Sequence, residues 1–205
     1  MRRGLFITFE GGEGAGKTTL IESLCQFFSK KKRASLKVRE PGGTLLGEKV
    51  RSLLLESPLQ SVDPRAELCL FLASRAQQVH EVILPSLHRG EVVLCDRFHD
   101  SSIAYQGYGR GLDQGKIKEI CDFIAGGLEP DLTFYLDLDP DVGLRRASRD
   151  RAQDRMESEA LSFHEKVRQG YLNIAKEEKR FHLIDAKASK EEVYSQVLEI
   201  VEKHV

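Results

Sequence analysis

Residues 11–18 read GGEGAGKT: Gly11, Gly12, Glu13, Gly14, Ala15, Gly16, Lys17 and Thr18 form a complete GxxxxGKT phosphate-binding loop. The apolar run Leu5 to Phe9 precedes it, and Thr19, Leu20, Ile21 and Leu24 follow with helical spacing. A buried strand, a glycine turn and a helix N-terminus aimed at an anion are the context this motif requires. The glycines let successive backbone N–H groups curl around phosphate oxygens. Lys17 is then placed to reach the β and γ phosphates, and the Thr18 hydroxyl to ligate Mg²⁺. The competing reading is a glycine-rich turn that binds nothing, or only a sulfate-like ion. The loop points to a nucleotide without saying what the nucleotide is used for.

A chain of 205 residues suits one α/β domain spanning 1–205. Lysine and arginine total 31 against 32 acidic residues, so no basic field recommends DNA or RNA as a partner, and a small substrate is expected. No apolar stretch approaches the roughly 18–20 residues that span a bilayer, and residues 1–4 pass straight into the first strand, so a soluble cytoplasmic protein without a membrane partner is expected. Cys25, Cys69, Cys95 and Cys121 lie in apolar neighbourhoods and match neither a zinc nor a disulfide pattern, which predicts buried free thiols. No HxxxH or GxSxG motif supports a zinc enzyme or a serine hydrolase.

Apolar runs at 5–9, 36–38, 92–95, 132–138 and 181–184 predict short buried strands. Between them, Leu20, Leu24 and Phe27, then Phe163, Val167, Gly170 and Ile174, then Val193, Val197 and Ile200 keep helical spacing. The alternation predicts a mostly parallel sheet with helices on both faces, whose ligands bind beyond the carboxyl ends of the strands.

Chemistry is therefore sought in the segments after each strand. Arg39, Glu40, Pro41, Gly42, Gly43 and Thr44 form a turn that brings backbone close to a ligand, or a plain surface turn. Asp96 and Arg97 end the third apolar run: a carboxylate for Mg²⁺ or water beside a guanidinium fork for phosphate, or a strand-end ion pair. Residues 101–111 are rich in hydrogen-bonding groups and glycine and read equally as a mobile loop. Arg145, Arg146, Arg149, Arg151 and Arg155 are the densest charge cluster, by themselves a solvated helix face or a nucleic-acid patch.

LCDRFHDSSIAYQ at 94–106, with GGEGAGKTT, REPGGT, LFLASRAQ at 70–77 and DRME at 154–157, together resemble the bacterial thymidylate kinases in order and spacing. The resemblance implies a P-loop NTPase fold with a five-stranded parallel sheet, a lid at about 146–158, and transfer of the ATP γ-phosphoryl group to dTMP with Mg²⁺. It implies that residues 11–19 hold ATP, that Thr18 and Asp96 serve the metal, and that Asp185 and Ala186 lie near adenine. It places Arg97 and Arg51 on the acceptor phosphate, Glu13 near the acceptor sugar and phosphate, and Glu40 with the substrate. Phe71 would stack the thymine ring and Arg75 meet its carbonyl edge, although Phe71 amid leucines otherwise reads as core. Ser101 and Gln106 would surround the base, Tyr105 would crowd the sugar 2′ position, and Asp154 and Glu157 would lie near the acceptor.

Thymidylate kinases carry a catalytic arginine either in the phosphate loop or in the lid. Gly14 occupies the loop position here, which turns attention to Arg149 and Arg151. The resemblance also implies a homodimer. The alternatives are a kinase for another nucleoside monophosphate, or a P-loop switch; a GTPase switch would need an NKxD motif, which the chain lacks.

Overall fold

Each apolar run becomes a strand: β1 (Phe6–Glu10), β2 (Ser35–Arg39), β3 (Val92–Asp96), β4 (Leu132–Asp137) and β5 (Phe181–Asp185) form one parallel sheet in the order β2-β3-β1-β4-β5. The structure, a computed structural model, describes residues 4–56, 62–148 and 154–205. β1 is central, pairing Ile7 with Leu94 of β3 and Thr8 with Thr133 of β4. The hydroxyls of Thr8 and Thr133 satisfy each other at 2.8 Å in the buried interior.

β1, β2, β3 and β5 run one residue past the predicted apolar run and end on Glu10, Arg39, Asp96 and Asp185; β4 stops one residue short, at Asp137. Ladder pairing uses the backbone, so Arg39 still pairs with Asp96, and Asp137 with Asp185, although none is apolar. Every strand thus delivers a charged side chain to the carboxyl edge of the sheet.

The helices are α1 (Lys17–Lys30), α2 (Leu45–Arg51), α3 (Pro64–Gln78), α4 (Leu84–His88), α5 (His99–Ser102), α6 (Gln114–Ala125), α7 (Pro140–Ala147), α8 (Leu161–Glu177) and α9 (Lys190–Glu202). Leu20, Ile21, Leu24 and Phe28 of α1, with Val193, Val197 and Val201 of α9, cover one face of the sheet over Ile7, Phe9, Leu94 and Phe134. On the other face Val79, Ile83 and Leu87 pack on Phe6, Val93 and Cys95. Tyr135 of β4 meets Tyr171, Phe163 and Val167 of α8 in a third cluster.

Local sequence sets the helix ends. The Thr44 hydroxyl accepts from the Gly47 N–H at the start of α2, Asp63 caps α3 with Pro64 behind it, and Ser189 and Glu192 form a capping box for α9. α6 stops at Gly126, whose φ of 62° suits glycine. π-Helical turns extend α2 (Ser52–Glu56), join α3 to α4 (Val79–Ile83) and continue α5 (Ile103–Gly109). Such turns recur at functional sites, and two of these border the cleft described next.

The expectation of four buried thiols is corrected. Cys95 and Cys121 are buried, Cys25 is partly so, and Cys69 is exposed. Cys69 shares the outer face of α3 with Ala73, while Leu68 and Leu72 take the inner one. No helix among the described residues is long and apolar enough to cross a membrane.

Candidate active site

The phosphate loop links β1 to α1 above the carboxyl edge of the sheet. Gly14 has φ of 66°, and a Cβ there would collide with the carbonyl oxygen of Gly143 in α7. A Cβ on Gly143 would in turn collide with the Glu13 carbonyl oxygen. The loop and α7 therefore meet backbone to backbone, through two residues without side chains.

The Lys17 ammonium donates to the carbonyls of Gly11 at 3.0 Å and Gly12 at 2.9 Å. Burial, and then the charge of Arg97, lower its pKa. A phosphate offers this ammonium a charged acceptor in place of neutral carbonyls, a stronger partner. The Thr18 hydroxyl lies 3.5 Å from the Asp96 carboxylate, so two hard oxygen ligands converge where α1 starts and β3 ends. That donor set suits Mg²⁺, which takes few protein ligands and fills its octahedron with waters and phosphate oxygens.

Arg97 follows directly, with φ of 71°, a left-handed conformation that a side chain resists. Its N–H donates to the Phe9 carbonyl at 3.0 Å, and the next N–H, of Phe98, donates to the Glu10 carboxylate at 2.8 Å. Pinned on both sides, the guanidinium turns toward the loop and pairs with Glu13 at 2.5 Å. It also packs 5.0 Å from the centre of the Tyr105 ring and donates to Tyr171 at 3.3 Å and Ser101 at 3.4 Å. Glu10, fully buried, accepts from the same two hydroxyls, Ser101 at 2.6 Å and Tyr171 at 2.7 Å. Burial, with the Asp100 carboxylate adding to it, raises the Glu10 pKa to about 7 against the pull of Arg97.

α3 presents a second set of groups. Glu67, Phe71 and Arg75 recur at four-residue spacing on one helix face. Phe71 borders the cleft half-buried. Arg75 is buried, and its donors face protein acceptors: Glu40 at 2.7 and 2.8 Å, Ser102 at 3.0 Å, the Phe98 carbonyl at 3.0 Å and Cys121 at 3.4 Å. It thereby fixes Glu40 and the segment after β3 as well as lining the cleft. Burial raises the Glu40 pKa despite Arg75, and its Oε1 is buried without a hydrogen-bond partner among the described residues. Glu67 accepts from Gln106 at 2.8 Å, Arg110 at 3.0 Å and Arg155 at 2.7 Å.

A single cleft of about 820 Å³ joins these parts. Glu13 to Thr19 line it, as do Glu40, Arg51, Phe71, Arg75, Asp96, Arg97, Ser101, Tyr105, Gln106 and Asp154. Ala186, Ser189, Lys190 and Tyr194, from the segment after β5 and from α9, line it too. Arg51 also donates to the Pro41 carbonyl at 3.1 Å, tying α2 to the turn after β2. Gly11, Gly12, Glu157 and Asp185 do not border the cleft. Glu157 is buried and accepts from the Asp154 N–H at 3.0 Å, while exposed Asp185 accepts from the Lys187 N–H at 2.9 Å. Arg149 and Arg151 lie outside the described residues; Arg146, nearest before them, lines the cleft.

Sequence reasoning missed Glu10, Glu67 and Tyr171. Glu10 had a signal, a lone charge closing an apolar strand just before the loop. Glu67 had one too, the repeat of the Phe71 to Arg75 spacing one turn earlier. Tyr171 had none, because an aromatic residue beside a helical apolar stripe reads as core.

Comparison with known proteins identifies one family. The family model described as thymidylate kinase matches residues 9–197. A thymidylate kinase of Desulfovibrio desulfuricans is 49% identical over 209 residues, covering 98% of this chain and 96% of that protein. One of Halothermothrix orenii is 50% identical over 198 residues, covering 95% of each. Among solved structures, thymidylate kinase from Ehrlichia chaffeensis superposes with a TM-score of 0.80 at 35% identity, over 97% of this chain and 99% of that one.

Proposed function

This chain belongs to the thymidylate kinase family, and on that premise we propose that it transfers the γ-phosphoryl group of ATP to dTMP, giving ADP and dTDP. The observation that carries the reading is the single cleft in which Arg97 stands between the phosphate loop and the pocket bordered by Phe71 and Gln106. Two anions that repel each other must be brought in line, which is mainly a task of positioning and charge neutralisation.

In this reading the polyphosphate of ATP lies on the loop and Lys17, with adenine toward Ala186 and Tyr194. The acceptor phosphate takes the Arg97 fork, with Arg51 as a second contact. Phe71 stacks the thymine ring and Tyr105 crowds the sugar 2′ position, favouring deoxyribose. An oxygen of the dTMP phosphate attacks the γ-phosphorus; the bond from that phosphorus to the β–γ bridging oxygen breaks, and ADP leaves with the electron pair. Lys17 stabilises the charge growing on the leaving oxygens. Thr18 and Asp96 would hold Mg²⁺, which when bound neutralises phosphate charge. Gly14 offers no cation, so Arg149 or Arg151 of the lid is assigned the remaining charge.

The same reading carries a homodimer. Phe123 and Ile120 on α6 are 79% and 42% exposed, apolar area that a second copy would cover. Sedimentation velocity tests this, and a monomer at micromolar concentration would overturn it. The activity is tested by ADP release with ATP and Mg²⁺ against dTMP, AMP, CMP and GMP. Preference for any of the other three over dTMP would overturn the assignment.

A further inference from the structure

Gln106 lines the cleft yet is almost wholly buried, held in the π-helical turn Ile103–Gly109. Its amide nitrogen donates to Glu67 at 2.8 Å, and its Oε1 accepts no hydrogen bond among the described residues. An amide can be turned either way, but a carboxylate only accepts, so Glu67 must take the nitrogen end. Glu67 stays ionised: burial works to raise its pKa, but hydrogen bonds from Arg110, Gln106 and Arg155 outweigh it. Arg110 is itself held by Glu159 at 2.6 Å, so the carboxylate is fixed from several sides.

We propose that Glu67 is the positioning residue that fixes which end of the Gln106 amide faces the nucleobase, and so sets acceptance of thymine over cytosine. This deepens the reading of the cleft as a dTMP site and rests on it. Thymine presents O4, N3–H and O2, an acceptor, a donor and an acceptor; cytosine presents an amino donor and an unprotonated N3. With its nitrogen committed to Glu67, Gln106 offers its carbonyl oxygen, which accepts from the N3–H of thymine and meets the N3 lone pair of cytosine with repulsion. A buried polar group left facing a like group is costly, which is how such a site rejects the wrong ring. Uracil shares the edge of thymine, so this device does not separate the two.

The test is kcat/KM for dTMP, dUMP and dCMP with the full-length protein, ATP and Mg²⁺. In Glu67→Gln the new amide can donate to Gln106 and let it turn over, so the dTMP to dCMP ratio is expected to fall about tenfold or more while the dTMP to dUMP ratio holds. Glu67→Asp keeps a carboxylate for the arginines but draws it back by one methylene, and is expected to lower the same ratio. Arg155→Ala removes one arginine and leaves the Gln106 contact, so both ratios are expected to stay. Equal losses on all three monophosphates in the Glu67 variants, or an unchanged dTMP to dCMP ratio, would overturn the proposal. Failure of both Glu67 variants to fold would assign the residue to the scaffold and overturn it too. Wild-type protein inactive on dTMP would instead overturn the reading of the site.

Discussion

Arg97 combines two demands that pull against each other. Its charge is wanted at the mouth of the phosphate loop, and its φ of 71° is one that a Cβ resists by roughly 1–2 kcal/mol. The neighbouring bonds, from the Arg97 N–H to Phe9 and from the Phe98 N–H to Glu10, hold it there. Chemistry and strain separate experimentally. Arg97→Ala and Arg97→Gly are both expected to lower kcat/KM for dTMP by about a hundredfold or more, with far smaller effects on ATP binding measured by titration. Glycine is relieved at this φ, so Arg97→Gly is expected to be the more stable of the two in urea, by about 1 kcal/mol. Equal stabilities would mean that the conformation carries no strain. The sequence displayed Asp96 and Arg97 because charges at a strand end stand out. Nothing in it displayed the backbone angle, or the fact that Glu10 sits beneath the same arginine.

Among the elements, α3 was legible only through the family resemblance of 70–77, where Phe71 and Arg75 fall four residues apart, and α8 because its apolar residues keep helical spacing. The segment after β3 was not. Its glycines and polar residues read equally as a mobile loop, whereas it forms α5 and a π-helical turn with Tyr105 and Gln106 buried. Packing against α8 decides this. A Cβ on Gly170 would lie 2.7 Å from the Tyr108 ring, and one on Gly109 would lie 2.6 Å from the Phe163 ring. Gly170→Ala is therefore expected to destabilise the protein by about 1–3 kcal/mol in chemical denaturation, despite the better helix propensity of alanine, about 1 kcal/mol. A gain in stability would show that the two elements do not press together there. The proposed lid belongs to this scale as well. Changing Arg149 and Arg151 together to alanine is expected to cut phosphoryl transfer sharply while dTMP binding by calorimetry persists; unchanged turnover would move the charge elsewhere.

For the molecule as a whole, the alternation of apolar runs with helical spacings carried the doubly wound architecture, while the strand order, set by long-range pairing, had no local signature. His99 and Glu10, whose burial the sequence did not display, contribute opposite slopes to its response to pH. His99, next to Arg180 at 2.9 Å, has its pKa lowered by burial to about 4 from 6.5. The unfolded chain binds this proton more readily, so His99 contributes stability above pH 6.5 that is lost as pH falls toward 4. Glu10, raised to about 7 from 4.5, does the reverse: its contribution is present below 4.5 and lost as pH rises through 7. The two nearly offset each other between pH 4.5 and 6.5. Glu10→Gln is expected to leave a melting temperature that climbs with pH across that window, and His99→Gln one that declines. Parallel slopes in the two variants would refute the assignment. The meeting of Gly14 with Gly143 has a consequence of another kind. Any side chain at position 14 must displace the Gly143 backbone of α7, so a cation placed in the loop at that position would need a compensating shift of α7 as well as the substitution itself.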